Sequence, residues 1–192
     1  MRGLVRIDFY AYVFGALLLL TLPINWLLAM LAAAVFHELC HVLMISLLGG
    51  SVLGIKIGVG GAEIETEPLR PGRELACALA GPFGSLLLVL LCRVFPRLAI
   101  CAGIQALFNL LPIYPLDGGR ALRCGVEMIL PKRADGVTRW IELGSVSVIG
   151  ILAVVGAAVF HLGVAPLLFA LVLILRALSR KIPCKRTRIG VQ

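Results

Sequence analysis

Three side chains near the start of the chain, His37, Glu38 and His41, have the types and the spacing to do chemistry together. On a helix, residues four apart share a face, so the two imidazoles can aim their nitrogens at one ion while Glu38 stays beside it as a base. That is the arrangement of a catalytic zinc site. The segment around it, Ile24 to Leu48, is apolar and long enough to cross a bilayer. An ionisable group at the bilayer centre costs roughly 2.5 to 3.5 kcal/mol on the insertion scale, so such groups are expected there only with a function. The same pattern arises by chance in soluble helices. Here, however, two of the chain's 3 histidines fall at this spacing inside a membrane-grade run.

A second chemical stretch is Asn109-Leu110-Leu111-Pro112-Ile113-Tyr114-Pro115-Leu116-Asp117-Gly118-Gly119-Arg120. Its prolines and glycines must interrupt a helix, and irregular backbone at membrane depth is tolerated only where protein buries it or where it lines a wet cavity. Taken alone, Asp117 reads as a turn residue or helix cap. A catalytic zinc takes three protein ligands, which makes Asp117 the candidate third. The remaining histidine, His161, stands at the end of a distant apolar run and reads as an interfacial residue.

The elements that must position these residues follow from composition. With 192 residues, 60% of them hydrophobic, and a mean hydropathy of +1.04, the chain is expected to be an all-α polytopic membrane protein. It reads as a single membrane domain over 1–192 with its core at 24–130 and a basic cytosolic tail at 179–192. The net charge of +8 comes from basic residues at the ends of apolar runs and in the tail, where membrane topology puts them, so no nucleic-acid partner is implied. The cysteines at 40, 77, 92, 101, 124 and 184 contain no C-x-x-C pair and suggest packing rather than a disulfide framework.

In chain order, Met1 to Leu22 has the form of a signal peptide or a first transmembrane helix, and a retained helix is favoured. The best small-residue cleavage site, Ala32-Ala33-Ala34, would split the helix that carries the histidines. The second span, Ile24 to Leu48, ends at Gly49-Gly50-Ser51, and Val52 to Glu65 reads as a β-hairpin at the membrane surface. That hairpin either holds an extended peptide as an added strand or is only a connector. A third span, about Leu75 to Cys92, contains Ala80-Gly81-Pro82-Phe83-Gly84, read as a packing kink or as part of the catalytic site. A fourth span begins near Leu98 and is extended by Ala121 to Leu130. Runs at about Ile141 to Phe160 and Val164 to Leu178 bring the total to six. With both termini cytosolic, all Lys and Arg except Arg93 and Arg97 lie inside, as the positive-inside rule requires, and the metal site opens toward the cytosol.

With both stretches in view, the chain resembles the site-2 protease family of intramembrane zinc metalloproteases, whose signatures are H-E-x-x-H and N-x-x-P-x-x-x-x-D-G on separate transmembrane helices. His37-Glu38-Leu39-Cys40-His41 matches the first, and Asn109, Pro112, Asp117 and Gly118 match the second. Within the family it looks most like the stage IV sporulation protein FB branch of bacterial proteases. The C-terminal CBS domain often found in that branch and the PDZ domains of other members are not expected within 1–192. Cys40 stands where relatives often have glycine. The resemblance implies one zinc ion held by His37, His41 and Asp117, Glu38 as the proton-transferring base, and Asn109 as a donor to the oxyanion or the substrate backbone. It further implies cleavage of membrane-tethered protein or pro-protein substrates in a bacterial cell membrane, with regulatory membrane proteins as further partners and a sporulation sigma factor precursor as one candidate substrate. A catalytically silent membrane-binding relative would have lost a ligand or the base, and a metal transporter would need polar groups across the bilayer rather than at one depth.

Overall fold

A computed structural model describes residues 5–7, 16, 18–58, 61–67, 69–159, 163 and 165–179. They form two compact units, 1–138 and 139–192, which are taken separately. The first contains strands β1 (Val5–Ile7), β2 (Val52–Gly58) and β3 (Gly61–Thr66), and helices α1 (Ile24–Leu47), α2 (Pro71–Val89), α3 (Pro96–Asn109) and α4 (Asp117–Ile129). Helix α5 (Ala134–Ala158) begins in the first unit and continues into the second, which also holds α6 (Ala165–Ser179).

Helix α1 is built inside out by the standards of a soluble protein. Its buried residues include Ala33, His37, His41 and Ile45, one stripe at four-residue spacing. Leu28, Leu31, Val35, Leu39 and Leu43 are each at least 50% exposed. An exposed leucine face with histidines inside fits surroundings as apolar as the leucines themselves. The helix stops where Gly49 takes φ 72°, the left-handed conformation that glycine adopts without strain. The amides of Gly49 and Gly50 then bond back to the carbonyls of Ser46 and Ile45, closing the last turn.

Helix α2 is central to the first unit, packing against α1, α3 and α4. The contacts rely on small residues. Ala99, Ala102 and Ala106 form the buried stripe of α3, and Ala102 clusters with Ala33 of α1 and Leu88 of α2. Without bulk at these positions the backbones approach closely, which is how apolar helices associate where water exclusion gives no drive.

The sheet has strand order β1-β2-β3. β2 and β3 form the expected hairpin, with Ile55 opposite Ile64 and Lys56 opposite Glu63 and an irregularity between Val52 and Gly54. β1 lies parallel to β2, with Val5 opposite Ile55. The expectation of a helix from Met1 is therefore corrected at its start: Val5-Arg6-Ile7 supplies β-branched residues to an available sheet edge. Most of the remaining first run, His161 and the tail beyond 179 lie outside the described residues.

Among the described residues three helices, α1, α2 and α5, are long and apolar enough to cross a membrane. Six spans were expected. Helix α3, at 14 residues, and α4, at 13, are shorter than the roughly 20 residues a spanning helix needs. The interruption at Leu110 to Leu116 divides what composition alone reads as one long element.

Enlarging Ala102 tests the packing. Ala102→Leu is expected to destabilise the fold by about 1 to 3 kcal/mol through overpacking, read as a lowered unfolding midpoint in detergent. Gly136→Ala, with nothing within 4 Å of the added carbon, should leave the midpoint nearly unchanged.

Candidate metal centre

The site is built on α1 and completed by α2 and α4. His37 and His41 lie one turn apart on the buried stripe of α1. The loop 110–116 turns the chain after α3 so that Asp117 becomes the first residue of α4. Gly118 and Gly119 make that turn possible: a carbon added to Gly118 would sit 2.2 Å from the Leu110 carbonyl oxygen, and one on Gly119 would sit 2.5 Å from the Ile113 carbonyl carbon. Asp117 also stands at a helix N-terminus, where the helix dipole favours a carboxylate.

These elements bring three ligand atoms together. Asp117 Oδ2 is 3.0 Å from His37 Nε2 and 3.1 Å from His41 Nε2, and the two Nε2 atoms are 3.2 Å apart. All three residues are buried. Three corners of a zinc tetrahedron with bonds of about 2.0 to 2.1 Å would be about 3.3 Å apart, so the triangle has the right size.

The tautomers agree with this geometry. His41 Nδ1–H donates to the backbone carbonyl of Cys77 at 2.7 Å, which leaves its Nε2 as a bare lone pair in the neutral ring. His37 Nδ1 lies 2.8 Å from Ser85 Oγ. If the hydroxyl accepts there, the second Nε2 is also bare. A carboxylate oxygen and imidazole lone pairs then face one another without a proton between them, an arrangement that a cation relieves. His37, His41 and Asp117 form a group able to hold a metal ion. Their donor types, two imidazoles and one carboxylate, suit a catalytic zinc.

Helix α2 comes close enough to orient both rings because residue 81 is glycine. A carbon added there would lie 2.2 Å from His41 Nε2 and 2.7 Å from His37 Nε2. At Gly84 it would lie 2.2 Å from Cys40 Sγ. Of the two readings of Ala80-Gly81-Pro82-Phe83-Gly84, packing is what the contacts display, and it is packing directly against the candidate ligands.

Glu38 is half-buried and lies within electrostatic reach of Asp117 and Arg120 as well as of both imidazoles. Asn109 ends α3, with Nδ2 3.4 Å from His37 Nε2. The structure thus gathers His37, His41, Asp117 and Asn109 around one point, with Glu38 in electrostatic reach. Sequence reasoning missed Ser85 and the Cys77 carbonyl. The glycine pair in the 80–84 stretch was the available signal that something needs close access to α2.

Gly81→Ala should abolish stoichiometric zinc retention, measured by elemental analysis of the purified chain, while helix content by circular dichroism is kept. Ser85→Ala should weaken zinc affinity by about 10- to 100-fold, the usual effect of losing the partner of a ligand imidazole.

No protein-family model matches the chain. It is 34% identical to a protein of Synechocystis sp. named putative zinc metalloprotease sll0528, over 57% of this chain and 33% of that protein. The chain therefore spans about a third of that relative's length. Its structure is similar to that of the site-2 protease from Methanocaldococcus jannaschii, with a TM-score of 0.65, 18% sequence identity, and 95% of this chain and 94% of that one covered. At that identity the likeness establishes a shared fold, and the fold is that of a site-2 protease.

Proposed function

We propose that the chain is an intramembrane zinc metalloprotease of the site-2 type, which hydrolyses peptide bonds of membrane-tethered protein substrates. The observation that carries the reading is the convergence of buried His37, His41 and Asp117, with the His41 tautomer fixed by the Cys77 carbonyl, on a fold shared with a site-2 protease. The zinc metalloprotease name of the Synechocystis relative supports the same chemistry.

Zinc held by His37 Nε2, His41 Nε2 and Asp117 Oδ2 would supply Lewis acidity, acidifying water and polarising a peptide carbonyl. Glu38 accepts the proton that the attacking water gives up and later delivers it to the leaving amine. Glu38 follows His37 on α1 and lies outside the group of three that could hold the ion, which leaves its carboxylate free for proton transfer. Asn109 lies at the edge of the triad, and its side-chain amide donates to the carbonyl oxygen as negative charge develops there. Ser85 and the Cys77 carbonyl hold the rings so that neither imidazole rotates away. A substrate helix has its carbonyls bonded internally, so it must unwind locally before its backbone reaches these groups. Substrates with helix-breaking residues near the cut are therefore the best. The activity is assigned to a bacterial cell membrane with the site opening on the cytosolic side, and regulatory membrane proteins act on substrate access. A sporulation precursor is one substrate to try.

The test is cleavage of membrane-tethered candidates by the wild-type chain and by Glu38→Gln, with zinc measured in both. Glu38→Gln should lose about 10²- to 10⁴-fold in rate while keeping its zinc, as removal of a general base does. Equal cleavage by the two proteins would overturn the assignment of Glu38. Asn109→Ala should lower kcat by about 10²- to 10³-fold, the usual loss for an oxyanion donor, with KM little changed.

A further inference from the structure

One turn away from the triad lies a cavity that the mechanism does not use. Its volume is about 190 Å³, below the roughly 300 to 1,000 Å³ of a small-molecule site and suited to one side chain. Its apolar wall is Ile45 of α1, Ile64 of β3 and Leu69 of the segment entering α2. Its polar groups include Glu74 of α2 and Arg120 of α4, both half-buried, with the exposed Glu67 beside them.

The cavity's place follows from helix geometry. Ile45 is four residues beyond His41 on α1, Arg120 is three beyond Asp117 on α4, and Cys77, which bonds His41, also lines the cavity. The space is therefore displaced from the triad by one helical turn, about 5.4 Å. An extended peptide advances about 3.3 Å per residue. A substrate residue one or two positions from a carbonyl at the triad thus brings its side chain to this opening.

We infer that this cavity is a specificity subsite, selecting a substrate side chain with an apolar stem and a neutral carboxamide head, as in glutamine. Among the described residues, no carboxylate lies within 4.0 Å of the Arg120 guanidinium and no cation lies within that distance of Glu74. Arg120 and Glu74 share one cavity, with Glu67 at its exposed side, without closing into an ion pair. A carboxamide satisfies both, its oxygen accepting from Arg120 and its NH₂ donating to Glu74. A lysine guest has no acceptor for Arg120, and a glutamate guest has no donor for Glu74, so each leaves one of the two groups without a partner. The assignment rests on the protease reading for the identity of its ligand, a peptide, and makes Glu74 and Arg120 specificity-determining residues.

The experiment separates the two claims by measuring binding and cleavage independently. A fluorescein-labelled apolar host peptide, broken by a central Pro-Gly and carrying Gln, Lys, Glu or Ala as a guest moved one position at a time, is titrated against zinc-loaded Glu38→Gln full chain in detergent. At one guest position, Gln is expected to bind about tenfold tighter than Lys or Glu, the scale of discrimination when a polar site loses a partner. In that background Glu74→Gln should remove the penalty against Glu alone, and Arg120→Gln the penalty against Lys alone. Affinities that do not depend on the guest, absence of binding included, or variant effects equal for every guest, would overturn the subsite. Cleavage of the same peptides by the wild-type chain reports on the protease reading. Guest-selective binding without cleavage would retain the subsite and sink that reading, and cleavage without selectivity would do the reverse.

Discussion

Two imidazoles and a carboxylate meeting at about 3 Å in the buried interior of an apolar bundle are the constraint on which the rest of the unit depends. Each group loses hydration on burial, and with the His41 tautomer fixed by the Cys77 carbonyl a bare His41 nitrogen faces a carboxylate oxygen. Such a cluster is stable only if a cation or shared protons occupy its centre, and if every remaining polar atom has a partner. The outer nitrogens meet that second condition through Ser85 and the Cys77 carbonyl. Both partners come from α2. The helix that supplies no ligand is therefore the one that decides which way the ligands face.

That role dictates the composition of α2 and its neighbours. To bring a backbone carbonyl within hydrogen-bond distance of a ring on α1, the two helices must nearly touch, and Gly81 and Gly84 are where they do so. The alanine stripe of α3 has the same consequence on the other side. Large apolar residues are left to the outside, as on α1, where the leucines are exposed and the histidines buried. A water-soluble protein would pay heavily for that exposed leucine face, whereas lipid makes it neutral.

How much of this was legible in the sequence differed by residue. His37, Glu38 and His41 were readable because a four-residue spacing is local, and helical geometry turns it directly into a shared face. Asp117 was reached because prolines and glycines announce a break and a zinc site needs a third ligand. Ser85 and the Cys77 carbonyl carried no signal: they lie 48 and 36 residues from their imidazoles, and a serine or a backbone carbonyl in an apolar helix looks the same whether or not a ring meets it. β1 was missed for a related reason. Three residues pairing with a strand some fifty positions away are set by a sheet edge that does not exist until the hairpin forms. Of the six expected spans, three are long and apolar enough among the described residues, and most of the first expected run lies outside those residues.

The break after α3 does more than open a pocket. On an uninterrupted helix, Asn109 and Asp117 would be eight residues, or about 12 Å, apart along the axis, too far to meet at one imidazole. Folding 110–116 into turns brings the last residue of α3 and the first of α4 to the same nitrogen of His37. The paired glycines that follow are needed because the start of α4 then lies against its own preceding loop. Arg120, one turn farther, is carried by that reversal to the neighbouring cavity. The Asn-x-x-Pro-x-x-x-x-Asp-Gly spacing is in this sense a description of a chain reversal: the distance between its polar residues is set by the length of loop that lets both ends reach one ring.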